Sequence, residues 1–301
     1  MKRYLRSAAI VLALLTCVIT AVAADWDSAK SLYPGVKLMQ IKKTKPRLIR
    51  LFIMRIDLQT PGLTFAVTGR DPDWDKPMPD YPKLKIRTKR TTTGDFLSNA
   101  RKPVSAGGLG LNMIVAVNAT PWRPWKPPYT HKYADPPGVN ISDGVIVGNR
   151  KGNNPAFVVY RDGKVDIVAK VPPEDFPKIK DALSGFQIVA RNGKAIKDNS
   201  EFSKGLAPRT AYGLSADRRY LFIIAIDGRQ PKWSMGASCS ETGQFLVDAG
   251  ASDVINMDGG GSTTMCYWDR RKKHPVMVNR QTDKGTYMRP VAMNLGIVIN
   301  K

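Results

Sequence analysis

Short apolar, β-branched runs closed by turn dipeptides recur along this chain, and that pattern limits it to a fold built mainly from hairpin-connected strands. Ala156 to Val168 is broken at Asp162-Gly163, and Phe186 to Ile196 at Asn192-Gly193. Both dipeptides accept the positive φ of a tight turn at little cost. Leu48 to Leu58 and Leu63 to Thr68 flank Pro61-Gly62, while Thr210 to Leu214 and Tyr220 to Asp227 pair across Ala216 to Arg219. Met113 to Asn118, Asp253 to Met257 and Val291 to Ile299 are apolar enough to be strands buried on both faces. Helical patterning is confined to Thr92 to Ala100 and to Glu241 to Ala249, the second expected to be capped by Ser240. A polar, Pro-rich excursion runs from Asp71 to Pro82 into the basic Lys83 to Arg90. The expectation is an α+β fold with a large mixed or antiparallel β-sheet core, few helices and long loops.

The N-terminus adds a compartment. Lys2, Arg3 and Arg6 precede an apolar run from Ala8 to Val22 that ends in Ala21-Val22-Ala23, with Ala24 following. Basic start, apolar middle and small-residue end describe a secretory signal peptide over residues 1–24. The run is shorter than the roughly 20 residues that span a bilayer, and no later stretch approaches that length, so no transmembrane segment is expected after processing. Residues 25–301 then form one domain, exported to a periplasm or secreted. Cys239 and Cys266 remain in it, and they either pair in an oxidising compartment or sit apart as small buried hydrophobes.

Charge narrows the partners. The 47 Lys and Arg outnumber the 25 Asp and Glu, and a net +19 remains once Lys2, Arg3 and Arg6 leave with the leader. Such an excess favours an anionic partner. Nucleic acid has charge alone in its favour, with no recognisable motif, and is not expected. With His131 and His274 as the only histidines there is little scope for a His-rich metal site, so no metal and no cofactor are expected. No GxSxG elbow or GxxxxGK loop occurs, and Gly107-Gly108-Leu109-Gly110 lacks the spacing of a dinucleotide fingerprint.

The sharpest motif is Asn256-Met257-Asp258-Gly259-Gly260-Gly261-Ser262-Thr263-Thr264-Met265. Three glycines directly after a buried strand let a ligand approach the backbone, and Asp258, Ser262, Thr263 and Thr264 crowd oxygen atoms around that opening. Asp227 ends the apolar run Leu221 to Ile226 in the same strand-then-Asp-Gly pattern, so the two carboxylates invite a general acid and base pair. Arg209 begins the strand that pairs with that run and can reach the same rim to hold an anion. Asn118 sits at another strand end, where an amide bonds a sugar hydroxyl or caps the turn. It opens a loop to Gly138 that carries six prolines and the rings Trp122, Trp125, Tyr129 and Tyr133. Flat rings suit the apolar faces of sugars, and equally a satellite core beneath the loop.

These residues also carry a resemblance. Ala207-Pro208-Arg209-Thr210-Ala211-Tyr212-Gly213, Ile226-Asp227-Gly228-Arg229, Ser234-Met235-Gly236, Gly250-Ala251-Ser252-Asp253 and Asn256 to Thr264, in this order, resemble the phosphodiester glycosidase family. The resemblance spans about Leu48 to the C-terminus. It implies hydrolysis of a sugar joined through its anomeric carbon to a phosphodiester, with the Asp258 to Thr264 segment lining the pocket. One departure bears on substrate: the family commonly reads Asn-Gly-Gly-Phe-Phe where this chain has Asn118-Ala119-Thr120-Pro121-Trp122.

The sequence therefore points to an exported phosphodiester glycosidase acting on an anionic envelope glycan or glycolipid. Asp258, Asp227 and Arg209 are its expected catalytic groups, and Asn118, Trp122, Trp125, Gly259, Gly260, Gly261, Ser262, Thr263 and Thr264 its expected substrate-binding groups. The competing reading is a non-catalytic glycan- or polyanion-binding module.

Overall fold

A computed structural model describes residues 25–127, 129–148, 153–282 and 287–300. The expected signal peptide, residues 1–24, lies outside them. The architecture is α+β, dominated by antiparallel strands. An eight-stranded sheet runs in the spatial order Lys30–Tyr33, Val36–Lys43, Ile49–Asp57, Tyr220–Ile226, Arg209–Leu214, Asp253–Asn256, Gln187–Arg191 and Lys194–Ala195. A five-stranded sheet centres on Met113–Asn118, between Met265–Asp269 and Asn294–Ile299, and a second centres on Ile179–Ser184 and Ala156–Tyr160. Among the described residues, no helix is long and apolar enough to cross a membrane.

Alternation explains why the central strands read as continuous apolar runs. In Tyr220–Ile226, Leu221, Ile223 and Ala225 enter the large core between the sheets, while Phe222, Ile224 and Ile226 enter a second core on the other face. Helix Cys239–Asp248 covers that second face through Leu246. Its cap is Ser238 and not Ser240: Ser238 Oγ accepts from Glu241 N–H, and the Glu241 carboxylate accepts from Ser238 N–H in a reciprocal box. The helix thus begins before Glu241, because the Ser-to-Glu spacing of three sets its first turn. Helix Thr93–Arg101, capped by Thr92, covers the outer face of the Met113–Asn118 sheet through Leu97 and Ala100. The layers are therefore helix, sheet, sheet, helix. Both hairpins form at Asp162-Gly163 and Asn192-Gly193. Cys239 and Cys266 are free thiols, buried in separate clusters on opposite outer faces.

This topology gathers the polar strand ends at one rim. Arg209 lies opposite Ile226, and Ala211 opposite Asn256, so the start of the middle strand meets the ends of its two neighbours. Met257 N–H donates to Thr210 O at 2.8 Å and Asp258 N–H to Ala119 O at 2.9 Å, which ties the two large sheets together there.

Candidate active site

Asn118 is the knot of that rim. Its Nδ2 donates to Asp258 O at 2.7 Å, and its Oδ1 accepts from Thr210 Oγ1 at 2.8 Å and Thr264 N–H at 3.0 Å. Tyr212 donates to its carbonyl at 2.8 Å. The side chain is fully buried with both ends engaged by protein, which gives it the work of positioning the Asp258 segment.

Asp258 follows directly. Its carboxyl is buried, and burial raises its pKa from 3.8 to about 7, against the downward pull of Ser262, Arg289, the Gly259 N–H and Trp122. Even so, Asp258 Oδ2, Ser262 Oγ and Trp122 Nε1 all lack a hydrogen bond of good geometry. Buried polar atoms gathered at one spot with their mutual contacts short of good hydrogen-bond geometry mark a candidate place for a ligand. Two of the glycines that follow answer specific needs. A Cβ on Gly259 would lie 2.7 Å from Pro208 O, and Gly260 takes φ +59°. Together they let the chain turn away beside a cavity of about 590 Å³ that Asp258 lines, a volume within the range of ligand sites.

The cavity is lined by Asp258, Gly259, Gly260, Arg209, Arg229, Trp122 and Trp125, with Phe186, Phe202 and Leu206 on its apolar wall and the charged Arg123 and Glu201 also on its edge. The two expected tryptophans separate by role. Trp122 is 2% exposed and belongs to the main core, ringed by Trp125, Tyr129 and His131 and stacked under the Arg90 guanidinium at 4.7 Å. Trp125 is 51% exposed and presents its ring to the cavity.

Arg209 lines the cavity, but its donors go to three backbone carbonyls: Nε to Ala237 O at 3.1 Å, and one terminal nitrogen to Gly205 O at 2.6 Å and Phe202 O at 3.2 Å. It pins the short helix Glu201–Lys204 and its exit to the sheet. The guanidinium left for a ligand is Arg229, exposed, on a backbone of φ +57°, and without a hydrogen bond or ion pair to a described residue. Its terminal nitrogen sits 3.1 Å from where a Gly260 Cβ would be. Sequence reasoning passed over Arg229, although it stands in the quoted Asp227-Gly228-Arg229 run.

Asp227 does not line the cavity. It is fully buried, with Oδ2 accepting from Trp233 Nε1 at 2.7 Å and Oδ1 from Arg280 N–H at 2.8 Å. Burial raises its pKa, opposed by those two donors, Asn279 and the Arg280 charge. Trp233 is stacked by Arg50 at 3.7 Å and by Arg280 at 5.2 Å, so Asp227 anchors the loop that carries Arg229. Gly261, Ser262, Thr263 and Thr264 also sit behind the cavity wall and are buried. Thr264 Oγ1 donates to Ser262 O at 3.1 Å and accepts from Gln281, while Asn279 holds Thr263 O at 3.0 Å.

The phosphodiester glycosidase family model matches residues 112–298, which takes in the strand ends that carry Asn118, Arg209, Asp227 and Asp258. The chain belongs to the phosphodiester glycosidase family. No curated protein matches its sequence. Among solved structures it is similar to the catalytic domain of zebrafish N-acetylglucosamine-1-phosphodiester alpha-N-acetylglucosaminidase, auto-inhibited by its pro-peptide, with a TM-score of 0.60 at 19% identity over 93% of this chain and 87% of that one. A hypothetical protein from Synechocystis gives 0.55 at 13% identity over 89% of this chain and 62% of its own length. A protein described as exported, from Burkholderia pseudomallei, gives 0.51 at 15% over 83% and 74%. At these identities the likenesses establish a common fold.

Proposed function

We propose that this family member is an exported enzyme that hydrolyses the anomeric C–O bond of a sugar-1-phosphodiester, with Asp258 as the reacting carboxyl. The observation that carries the reading is one buried carboxyl, its pKa raised by that burial, in a residue lining a ligand-sized cavity that also holds Arg229, whose guanidinium has no hydrogen bond or ion pair to a described residue. A phosphodiester is an acidic leaving group, so charge neutralisation by Arg229 assists its departure more than protonation does. Asp258 then works as the carboxylate: it stabilises positive charge at the anomeric carbon and takes the proton of the attacking water. The C–O electron pair leaves with the phosphate, and the water oxygen bonds to carbon. Asp227, Asn118 and Arg209 position this apparatus. A binding module would gain nothing from a carboxyl set against an anionic ligand, which favours the enzyme over that alternative.

Hydrolysis of a panel of hexose and N-acetylhexosamine 1-(methyl phosphates) in ¹⁸O-labelled water tests the reading. The label is expected in the released sugar; label in the phosphate would place the break at phosphorus, and no turnover of any member would refute the activity.

A further inference from the structure

The cavity that holds Asp258 is too apolar for sugar and phosphate alone. Trp125, Phe186, Phe202 and Leu206, four of the ten large apolar side chains that the described surface exposes, converge on it. Phe186 and Phe202 pack as a tilted pair with ring centroids 5.1 Å apart and remain 39% and 48% exposed. Apolar side chains scattered singly over a surface need no explanation, but a cluster of them beside a reactive group does. One ring under a sugar accounts for Trp125. The Phe186, Phe202 and Leu206 side chains present no donor or acceptor, and beside them Glu201 offers a single carboxylate, so a second sugar on that side would leave most of its hydroxyls unpaired. Arg209 holds this wall in place from beneath through the carbonyls of Phe202 and Gly205.

The geometry points to a substrate whose aglycone is a lipid: a sugar-1-phosphodiester of a long-chain alcohol, with the sugar at Asp258, the phosphate at Arg229 and the first methylenes of the chain on Phe186, Phe202 and Leu206. This rests on the proposed function and narrows its substrate. Water adds to the anomeric carbon, the C–O pair stays on the phosphate, and the products are the free sugar and the alcohol's phosphate monoester. No other reactant is needed.

The test compares methyl, butyl and octyl phosphodiesters of the most reactive sugar of the panel, below their micelle concentrations. Burying two or more methylenes predicts kcat/KM at least about tenfold higher for octyl than for methyl. The F186A/F202A variant should shrink that ratio at least about fivefold, and the F202L variant should largely keep it. Equal kcat/KM across the three esters, or a fall with chain length, overturns the lipid assignment while leaving the glycosidase reading intact. Should no ester turn over, the glycosidase reading falls, and binding of octyl and methyl phosphate followed by Trp125 fluorescence decides the lipid site: tenfold tighter octyl phosphate supports it, equal affinities refute it.

Discussion

Replacing Asp258 by Asn separates function from stability, because the same burial that prepares the carboxyl also strains the fold. Asn keeps the shape and removes the charge. In the native state the carboxyl titrates near 7 and in the unfolded chain near 3.8. The folded protein therefore holds a proton that the unfolded chain has released between these values, and native stability declines as pH rises across that window. At about 1.4 kcal/mol per pH unit the decline is about 3 kcal/mol between pH 5 and pH 8. Asn does not titrate, so D258N should gain on the wild type by about that amount, a gap in melting temperature that widens by about 6 °C or more from pH 5 to pH 8. Over the same range the wild-type kcat/KM should rise through pH ~7 as the base form appears, and D258N should lose at least about a hundredfold in kcat at pH 8. Calorimetry at the two pH values and steady-state kinetics read both effects. A melting gap that does not change with pH, together with a kcat within tenfold of wild type, would refute both the burial argument and the catalytic assignment.

Arg229→Ala should raise KM for a sugar-1-phosphodiester by at least about tenfold, the worth of a hydrogen bond to a charged group, with partial rescue by Lys; an unchanged KM removes Arg229 from phosphate binding. Trp122→Ala should cost about 3–5 kcal/mol of stability as a buried core ring, while Trp125→Ala should weaken binding with a melting temperature close to wild type. Equal destabilisation by both would mean that the whole aromatic loop is core. Asp227→Asn keeps an oxygen for one of the donors, Trp233 Nε1–H or Arg280 N–H, and sets its amide N–H₂ against the other, which should cost about 1–3 kcal/mol and raise KM through the Arg229 loop while kcat stays within tenfold. A hundredfold loss of kcat at unchanged melting temperature would return Asp227 to the chemistry.

Local rules carried the strands and turns. Asp162-Gly163 and Asn192-Gly193 demand hairpins wherever they fall between apolar runs, and Tyr220–Ile226 is apolar throughout because both its faces are covered. The strand Lys30–Tyr33, its partner Val36–Lys43 and the inner strand Ile179–Ser184 went unread, since Lys37, Lys42, Lys43, Lys180 and Asp181 interrupt the pattern there and only pairing with a neighbour fixes those residues as strand. The site was half legible. That Asp258 and its glycines turn at a strand end follows from the sequence; that Asp227, with the same strand-then-Asp-Gly signature, is sealed behind Trp233 does not. The difference lies in Arg50 and Arg280, far apart in the chain, which close over Trp233 from two sides. Arg229 was hidden for the converse reason: one arginine among many is distinguished by lining the cavity with a guanidinium that no described residue engages by hydrogen bond or ion pair.

A carboxyl with a pKa near 7 cannot be kept by local structure, since an exposed Asp-Gly-Gly-Gly turn would let water in and return the group to its ordinary range. Here the cost of burial is met by ties that reach across the molecule. Asn118, at the end of one sheet, holds Asp258 O, Thr210 and Thr264 at once, and Asp258 N–H bonds Ala119 O beyond it. The retained asparagine of the altered Asn118-Ala119-Thr120-Pro121-Trp122 segment thus ties the carboxyl's strand end in place. Of the altered residues, Pro121 and Trp122 form cavity wall, while Ala119 and Thr120 are buried behind it. Trp122 does both jobs, walling the cavity and standing as a donor beside the Asp258 carboxyl, so a change of wall at that position also resets the environment of the carboxyl, whereas a change at Pro121 alters the wall alone.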